Sequence, residues 1–347
     1  MATPTRPGAR PSALPPLPLP RSPGTPKAPK KKRVNESIRT WRLTDRIGYV
    51  VMWAAGLTLC AIGIGIVAFM AFKGLQYVRP ALLVSHPTAD LDQSQSGGFF
   101  DPLIGTILIT LIGIVIATPI AIGAATWIVE YGRPVWLARL IDSGIEIIAG
   151  TPDIVLALFG LVLFQQGIFS WMSFTAAGGA VFGRSFLTAG AMMSLIALPM
   201  VFAATREGLQ AIPAHVREAS YALGKTKAAT IRRVLLPSVK ANISTGAALG
   251  MGRIAGDTAI IVVLLGASLR LDPEGSIPLL NVLKGTGGTL TSYVYNNSPA
   301  GEGNAPEKAY AAAFVLLLIV IGLNFAVDLI ARSGKKTGLE TSRLGAR

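Results

Sequence analysis

Six apolar stretches, at residues 48–72, 103–129, 141–164, 185–204, 241–269 and 309–330, each reach the roughly 20 residues that a membrane-crossing helix requires. Polar intervals separate all six. Inside hydrocarbon every backbone N–H and C=O must be bonded within the protein, so stretches of this length fold as helices packed into a bundle. The expectation is therefore an all-α integral membrane protein with six transmembrane helices. Only 14% of the residues are charged and the mean hydropathy is +0.53, whereas a soluble domain carries about 25% charged residues.

The net charge of +14 would suggest a nucleic-acid partner in a soluble protein, but here its placement reads as topology. With a cytoplasmic amino terminus, 25 Lys and Arg fall inside and 6 outside; Arg253, in the fifth stretch, completes the 32. The positive-inside rule then puts both termini in the cytoplasm. No nucleic-acid partner is expected; the lipid bilayer is. Residues 1–40 hold ten of the 23 prolines in the first 30 positions, followed by the Lys30–Arg33 basic run, and read as a disordered cytoplasmic arm. A polyproline ligand is the other reading of that arm. The membrane-spanning body covers 41–333, its long cytoplasmic loop covers 206–240, and a basic tail occupies 334–347. Cys60 is the single cysteine, so no intrachain disulfide forms.

The loop 206–240 carries the sequence EASYALGKTKAATIRRVLLP from Glu218 to Pro237. Pro213 can open a short helix, Gly224 supplies a turn, and Pro237 closes a second helical segment. Small Ala219 and Ala222 permit close approach of another chain, while Arg217, Glu218, Arg232 and Arg233 supply polar anchors. A solvated connecting loop is the plain alternative.

Within the spans, Pro119, Pro152 and Pro199 and the glycines at 246, 250, 252 and 256 mark kinks or close helix contacts. The two glycine pairs, Gly246/Gly250 and Gly252/Gly256, lie on offset faces, so the fifth span can pack on two sides, against its own bundle and against a second subunit. Arg253 near the bilayer centre costs about 2.5–3.5 kcal/mol on insertion scales and needs a partner. Asp257, four residues on, could bridge it, and Arg253 could also line a path for an oxyanion. Asp142 and Glu146, near the start of the third stretch, and Asp328, near the end of the sixth, read as interfacial partners for nearby Arg or Lys residues. Thr151 adds hydrogen-bonding capacity without a diagnostic pattern.

Enzymatic readings fare poorly. Gly224-Lys225-Thr226 lacks the earlier glycine of a phosphate-binding loop, having Ala219 there, and no HExxH or GxSxG pattern occurs. His86 and His215 fall on opposite sides in this topology and share no metal site. No cofactor, metal or catalytic residue is expected.

Glu218 and Ala219, Gly224 six positions after Glu218, and Leu236-Pro237 resemble the EAA loop of binding-protein-dependent ABC importer permeases. Three more stretches are similar to the phosphate-importing type of that family, and to its A permease subunit: GGFFDPLIGTILIT (97–110), IEIIAGTPDIVLALFG (145–160) and GMGRIAGDTA (250–259). The resemblance covers about 97–330. It implies a MetI-like type I importer fold with both termini inside, in a multi-pass protein of the bacterial inner membrane. It also implies a coupling helix formed by Arg217, Glu218, Ala219, Ala222, Leu223, Gly224 and Lys225 that docks on an ATPase subunit. The implied partners are a second, C-type permease subunit, a dimer of ATP-binding subunits and an extracytoplasmic phosphate-binding protein; ATP hydrolysis belongs to the separate subunits. The pathway residues would be Arg253, Asp257, Asp153 and Thr151. The chain departs from the family at Asp153, usually Ser, at Leu156, often Tyr, at Asp257, usually Glu, and at Ile260, usually Pro. A carboxylate at 153 would repel phosphate unless a cation neutralises it, so Asp153 either pairs with Arg253 or another base or lies off the path. The alternatives are a permease for another oxyanion, a gradient-driven secondary transporter, or a membrane enzyme or assembly factor.

Overall fold

The structure, a computed structural model, describes residues 42–87, 97–173, 183–266, 278–299, 301 and 305–344. The proline-rich arm 1–40 lies outside the described residues. Every regular element among those described is helical. The chain divides into two units, Met1–Ala61 and Ile62–Arg347.

The first unit contributes the opening turns of α1 (Leu43–Tyr77), where Val50, Trp53 and Leu57 are exposed. An apolar helix with outward hydrophobic side chains suits lipid rather than water.

The second unit is built around α6 (Phe186–Gln210). Short α2 (Pro80–Val84) leads into α3 (Phe100–Thr126), which continues through a wider helical turn at Trp127–Tyr131 and stops at Gly132. Gly132 has φ +57°, a left-handed conformation that costs a side-chain-bearing residue about 1–2 kcal/mol. Then come α4 (Val135–Gly150) and α5 (Asp153–Phe164). Beyond α6 lie α7 (Ala214–Ala222), α8 (Lys227–Thr230) and α9 (Leu236–Ser238), the last two joined by a wide turn at Ile231–Leu235. α10 (Lys240–Gly256), α11 (Ala259–Leu264), α12 (Pro278–Lys284), α13 (Leu290–Asn297) and α14 (Pro306–Leu344) complete the chain.

α6 packs against α3 and α10, and α10 packs in turn on α14. Ile109, Ala117, Ala121, Met192, Met193, Ala197 and Ile254 fill the space between them. Small residues set the spacing, because helix association within lipid relies on close packing rather than on exclusion of water. A Cβ on Gly246 would sit 2.9 Å from both Ala204 Cβ and Val201 Cα, so α10 approaches α6 there as only glycine allows. The other glycine pair behaves differently: Gly252 has only Val320 Cγ1 at 3.9 Å, and Gly256 has nothing within 4 Å.

Among the described residues, four helices are individually long and apolar enough to cross a membrane: α1, α3 with its terminal turn, α6, and α14 from Pro306 to Leu329. They coincide with the first, second, fourth and sixth apolar stretches. The third and fifth stretches, expected as single helices, are each divided. The third is the pair α4 and α5, bent by 110°. Pro152 has no N–H to continue α4 and pushes Thr151 into extended backbone, ψ 131°. The fifth breaks at Asp257 and Thr258, between α10 and α11. The long segment between the fifth and sixth stretches holds α13 packed against α14 and α3. Leu290 and Tyr293 are buried there, and Leu290 N donates to Thr106 Oγ1 at 2.8 Å.

Candidate functional site

One end of the bundle carries a helix–turn–helix built from α7 and α8. Pro213 precedes the first helical residue of α7, and Gly224 ends the helix with φ +74°. Gly224 N donates to Tyr221 O at 2.9 Å and Lys225 N to Ser220 O at 3.3 Å, which satisfies carbonyls the helix end would leave open. Thr226 then caps α8 by accepting from Ala229 N at 3.3 Å. The Ser220 and Thr230 hydroxyls, both buried and 2.9 Å apart, join the two helices. Pro237, expected to close the second segment, stands second in the short α9, and the chain turns at Val239 into α10.

The element is fixed to the bundle through one glutamate. Arg217 Nε and Nη2 lie 2.9 and 2.8 Å from Glu130 Oε1, at the end of α3. Its remaining contacts run to main-chain oxygens at the end of α6: Nη1 to Ile212 O at 2.8 Å and Nη2 to Leu209 O at 2.9 Å. Lys227 Nζ donates to Glu130 O and sits 4.4 Å from the centre of the Tyr131 ring. Glu130 is 4% exposed and Arg217 20%, so this charge pair is largely withdrawn from water and its hydrogen bonds are what make it tolerable. Sequence reasoning missed Glu130. Its 87-residue separation from Arg217 leaves no periodic signal, and the only hint was a lone carboxylate at the end of an apolar run.

With Arg217 turned inward, the opposite face of the element stands free. Glu218, Ala219, Tyr221, Ala222, Gly224 and Lys225 are all exposed, and Leu223 is 78% exposed. Six of the seven residues anticipated for coupling therefore share an open surface, and the seventh, Arg217, is the tie that holds it.

The two broken helices meet deeper in the bundle. Asp153 is the first residue of α5 and Arg253 lies in the last turn of α10; Arg253 Nη2 donates to Asp153 Oδ1 at 2.9 Å. Asp257, four residues on and just past the end of α10, does not bond to Arg253. Its Oδ2 accepts from Ile260 N at 2.9 Å and caps α11, while its carbonyl accepts from Thr291 Oγ1 at 3.0 Å. The bond from α13 thus pins the break in the fifth stretch. Thr151 Oγ1 donates to Ile147 O at 2.6 Å and satisfies a carbonyl of α4 beside the bend. Asp153 and Arg253 keep 33% and 42% of their side chains exposed. An open ion pair on spans this apolar faces water or another protein, because lipid would impose the full cost of a membrane charge.

Between α4 and α6 a groove of about 510 Å³ runs from this neighbourhood along Ala149, Pro199 and Met200 to Asp142, Glu146, Arg206 and Glu207. Asp142 Oδ1 accepts from Arg206 Nη1 at 2.6 Å, the kind of interfacial pairing expected of that carboxylate.

Known proteins resemble this chain over most of its length. Residues 117–334 match the family described as binding-protein-dependent transport system inner membrane component. The chain belongs to that family. This ABC importer permease, a multi-pass protein of the bacterial inner membrane, is 29% identical over 248 residues to the phosphate transport system permease protein PstC of Xylella fastidiosa (strain 9a5c), covering 68% of this chain and 72% of that one. It is 30% identical over 240 residues to the phosphate transport system permease protein PstA 1 of Mycobacterium tuberculosis (strain H37Rv), covering 69% and 71%. Permeases of both names thus match at nearly equal identity, so the likeness is to what the two have in common. Among solved structures, a bacterial alginate ABC transporter in complex with its alginate-bound periplasmic protein superposes with a TM-score of 0.56 at 13% identity, over 84% of this permease and 95% of that chain. At that identity the similarity concerns the fold alone.

Proposed function

We propose that this permease forms half of an ATP-driven import pathway for inorganic phosphate, with α7 as the helix that receives the motion of an ATPase subunit. The observation that carries the reading is the polarity of α7: an exposed face from Glu218 to Lys225 on one side, and on the other a buried fork from Arg217 to Glu130, Leu209 and Ile212. A docking helix needs both, a surface to be pushed and a stiff link to what must move. The links are direct. Leu209 belongs to α6, Glu130 ends α3, and α8 and α9 lead without a long loop into α10, which carries Arg253.

In this reading the loop 206–240 and both termini lie in the cytoplasm, an ATPase dimer hydrolyses ATP outside this chain, and an extracytoplasmic binding protein delivers the anion. A second permease subunit of the C type covers the open side. The thinly covered Gly252/Gly256 face of α10 suits such a contact, since small residues there let a neighbouring helix come close. Arg253 meets the anion with its planar fork. Phosphate is favoured over other oxyanions by the similarity to phosphate permeases of both names.

The test is uptake of labelled phosphate by the reconstituted complex, with sulfate and molybdate as competitors, for wild type and Glu218→Ala. The expected result is phosphate uptake resistant to both competitors and, in the variant, ATP hydrolysis without matching uptake. Coupled transport in Glu218→Ala would remove α7 from the mechanism, and uptake of sulfate or molybdate in preference to phosphate would change the substrate.

A further inference from the structure

Arg253 gives one of its five N–H donors to Asp153 Oδ1, and the two side chains open onto the same gap. Asp153 Oδ2 takes no hydrogen bond among the described residues. The pair lines a crevice of about 10 Å³ together with Ile148, Ala149, Ile196, Pro199 and Met200, none of which brings a side-chain nitrogen or oxygen. An anion reaching Arg253 therefore also meets a carboxylate, which accepts hydrogen bonds and donates none.

We propose that Asp153 is a specificity-determining residue of the pathway: its carboxylate accepts a hydrogen bond from an oxyanion that still carries a proton, while Arg253 binds that anion's bare oxygens. Asp153 has this role only if Arg253 meets the anion, as proposed above. Near neutral pH inorganic phosphate keeps one or two P–OH groups and complements both members of the pair. Sulfate and molybdate present acceptors alone, so against Asp153 they leave two acceptors facing each other without a proton between them. Two acceptors brought face to face at a site only a third exposed cost enough to separate the two classes by about tenfold or more. The carboxylate that first looks hostile to phosphate thus repels the anions without a hydroxyl more strongly.

The experiment is titration calorimetry on the full permease–ATPase complex without its external binding protein, so that selectivity measured there belongs to the membrane subunits. Inorganic phosphate and sulfate are titrated against wild type, Asp153→Asn, Asp153→Ser and Arg253→Gln. Asp153→Asn keeps the shape of the side chain and guards against loss of fold in Asp153→Ser. The expected result is a phosphate preference of about tenfold or more in wild type that shrinks at least severalfold in both Asp153 variants, mainly through tighter sulfate binding. A phosphate-to-sulfate ratio unchanged in both Asp153 variants would overturn the proposal, because a residue that only positions Arg253 would alter both affinities alike. Phosphate binding that survives unaltered in Arg253→Gln, or is absent in wild type at millimolar concentration, would overturn the underlying reading of Arg253 as well.

Discussion

Two arginine–carboxylate pairs in this permease have nearly the same contact distance and opposite surroundings. Arg217 and Glu130 meet at 2.8 Å, with two more bonds from the guanidinium to main-chain oxygens. Arg253 and Asp153 meet at 2.9 Å through a single bond, with both side chains a third or more exposed. The first pair has every reason to stay closed: Glu130 is almost wholly buried, and separating it from Arg217 would strand a charge away from water. The second can exchange its partner for a ligand at little cost, since water or an incoming oxyanion can take the place of Asp153. Contact distance alone does not distinguish a structural tie from a binding group; burial and the number of satisfied donors do.

That contrast can be broken by substitution. The largest loss of stability is expected for Arg217→Ala, which leaves Glu130 buried and unpaired at a cost of about 3–5 kcal/mol. Denaturation of the purified complex would register it, and a loss under about 1 kcal/mol would mean that the pair at Glu130 is not the anchor described. Gly224→Val comes next, at about 1–2 kcal/mol, because valine must enter the left-handed conformation at φ +74°. The same denaturation measurement applies, with reduced phosphate uptake as the second readout. Asp257→Ala removes a helix cap worth about 1 kcal/mol; Asp257→Asn, which still accepts from Ile260 N, should recover most of it. Recovery by Asn would support the capping role and argue against Asp257 as the counter-charge of Arg253. The smallest change in stability, within about 0.5 kcal/mol, is expected for Arg253→Lys at its exposed site. Its phosphate uptake should nonetheless fall about tenfold or more, because lysine keeps the charge and loses the fork. Normal uptake would make the two arginines more alike than their surroundings suggest.

Much of the architecture was legible from apolar run lengths, because the bilayer imposes a length on any crossing helix and the chain must satisfy it locally. α1, α3, α6 and α14 fall on four of the anticipated stretches for that reason. The divisions of the third and fifth stretches were not legible in the same way, since Thr151-Pro152 and Asp257-Thr258 interrupt the backbone while barely altering mean hydropathy. Pro119 and Pro199 illustrate the difficulty: both lie inside continuous helices, whereas Pro152 stands at a 110° bend. The turn at Gly224 was legible because its backbone requirement is local. Of the two partners considered for Arg253, the structure chooses Asp153, one hundred residues away. Spacing along a helix made Asp257 plausible, but the break after Gly256 sets its carboxylate to capping α11. Glu130 had no comparable local clue, and only the folded chain brings it to Arg217.

Pro199 sits in α6 ten residues before Leu209, a separation of about 15 Å along a helix. One of these residues borders the Asp153–Arg253 pocket and the other accepts a bond from Arg217. The knob and the Asp153–Arg253 pocket are therefore mounted on a single spoke with no flexible joint between them. Proline also lacks the N–H that would close the helix onto Leu195, giving that spoke a soft point beside the pocket. A push on the knob would be spent as bending beside the Asp153–Arg253 pair, rather than dissipated along the way.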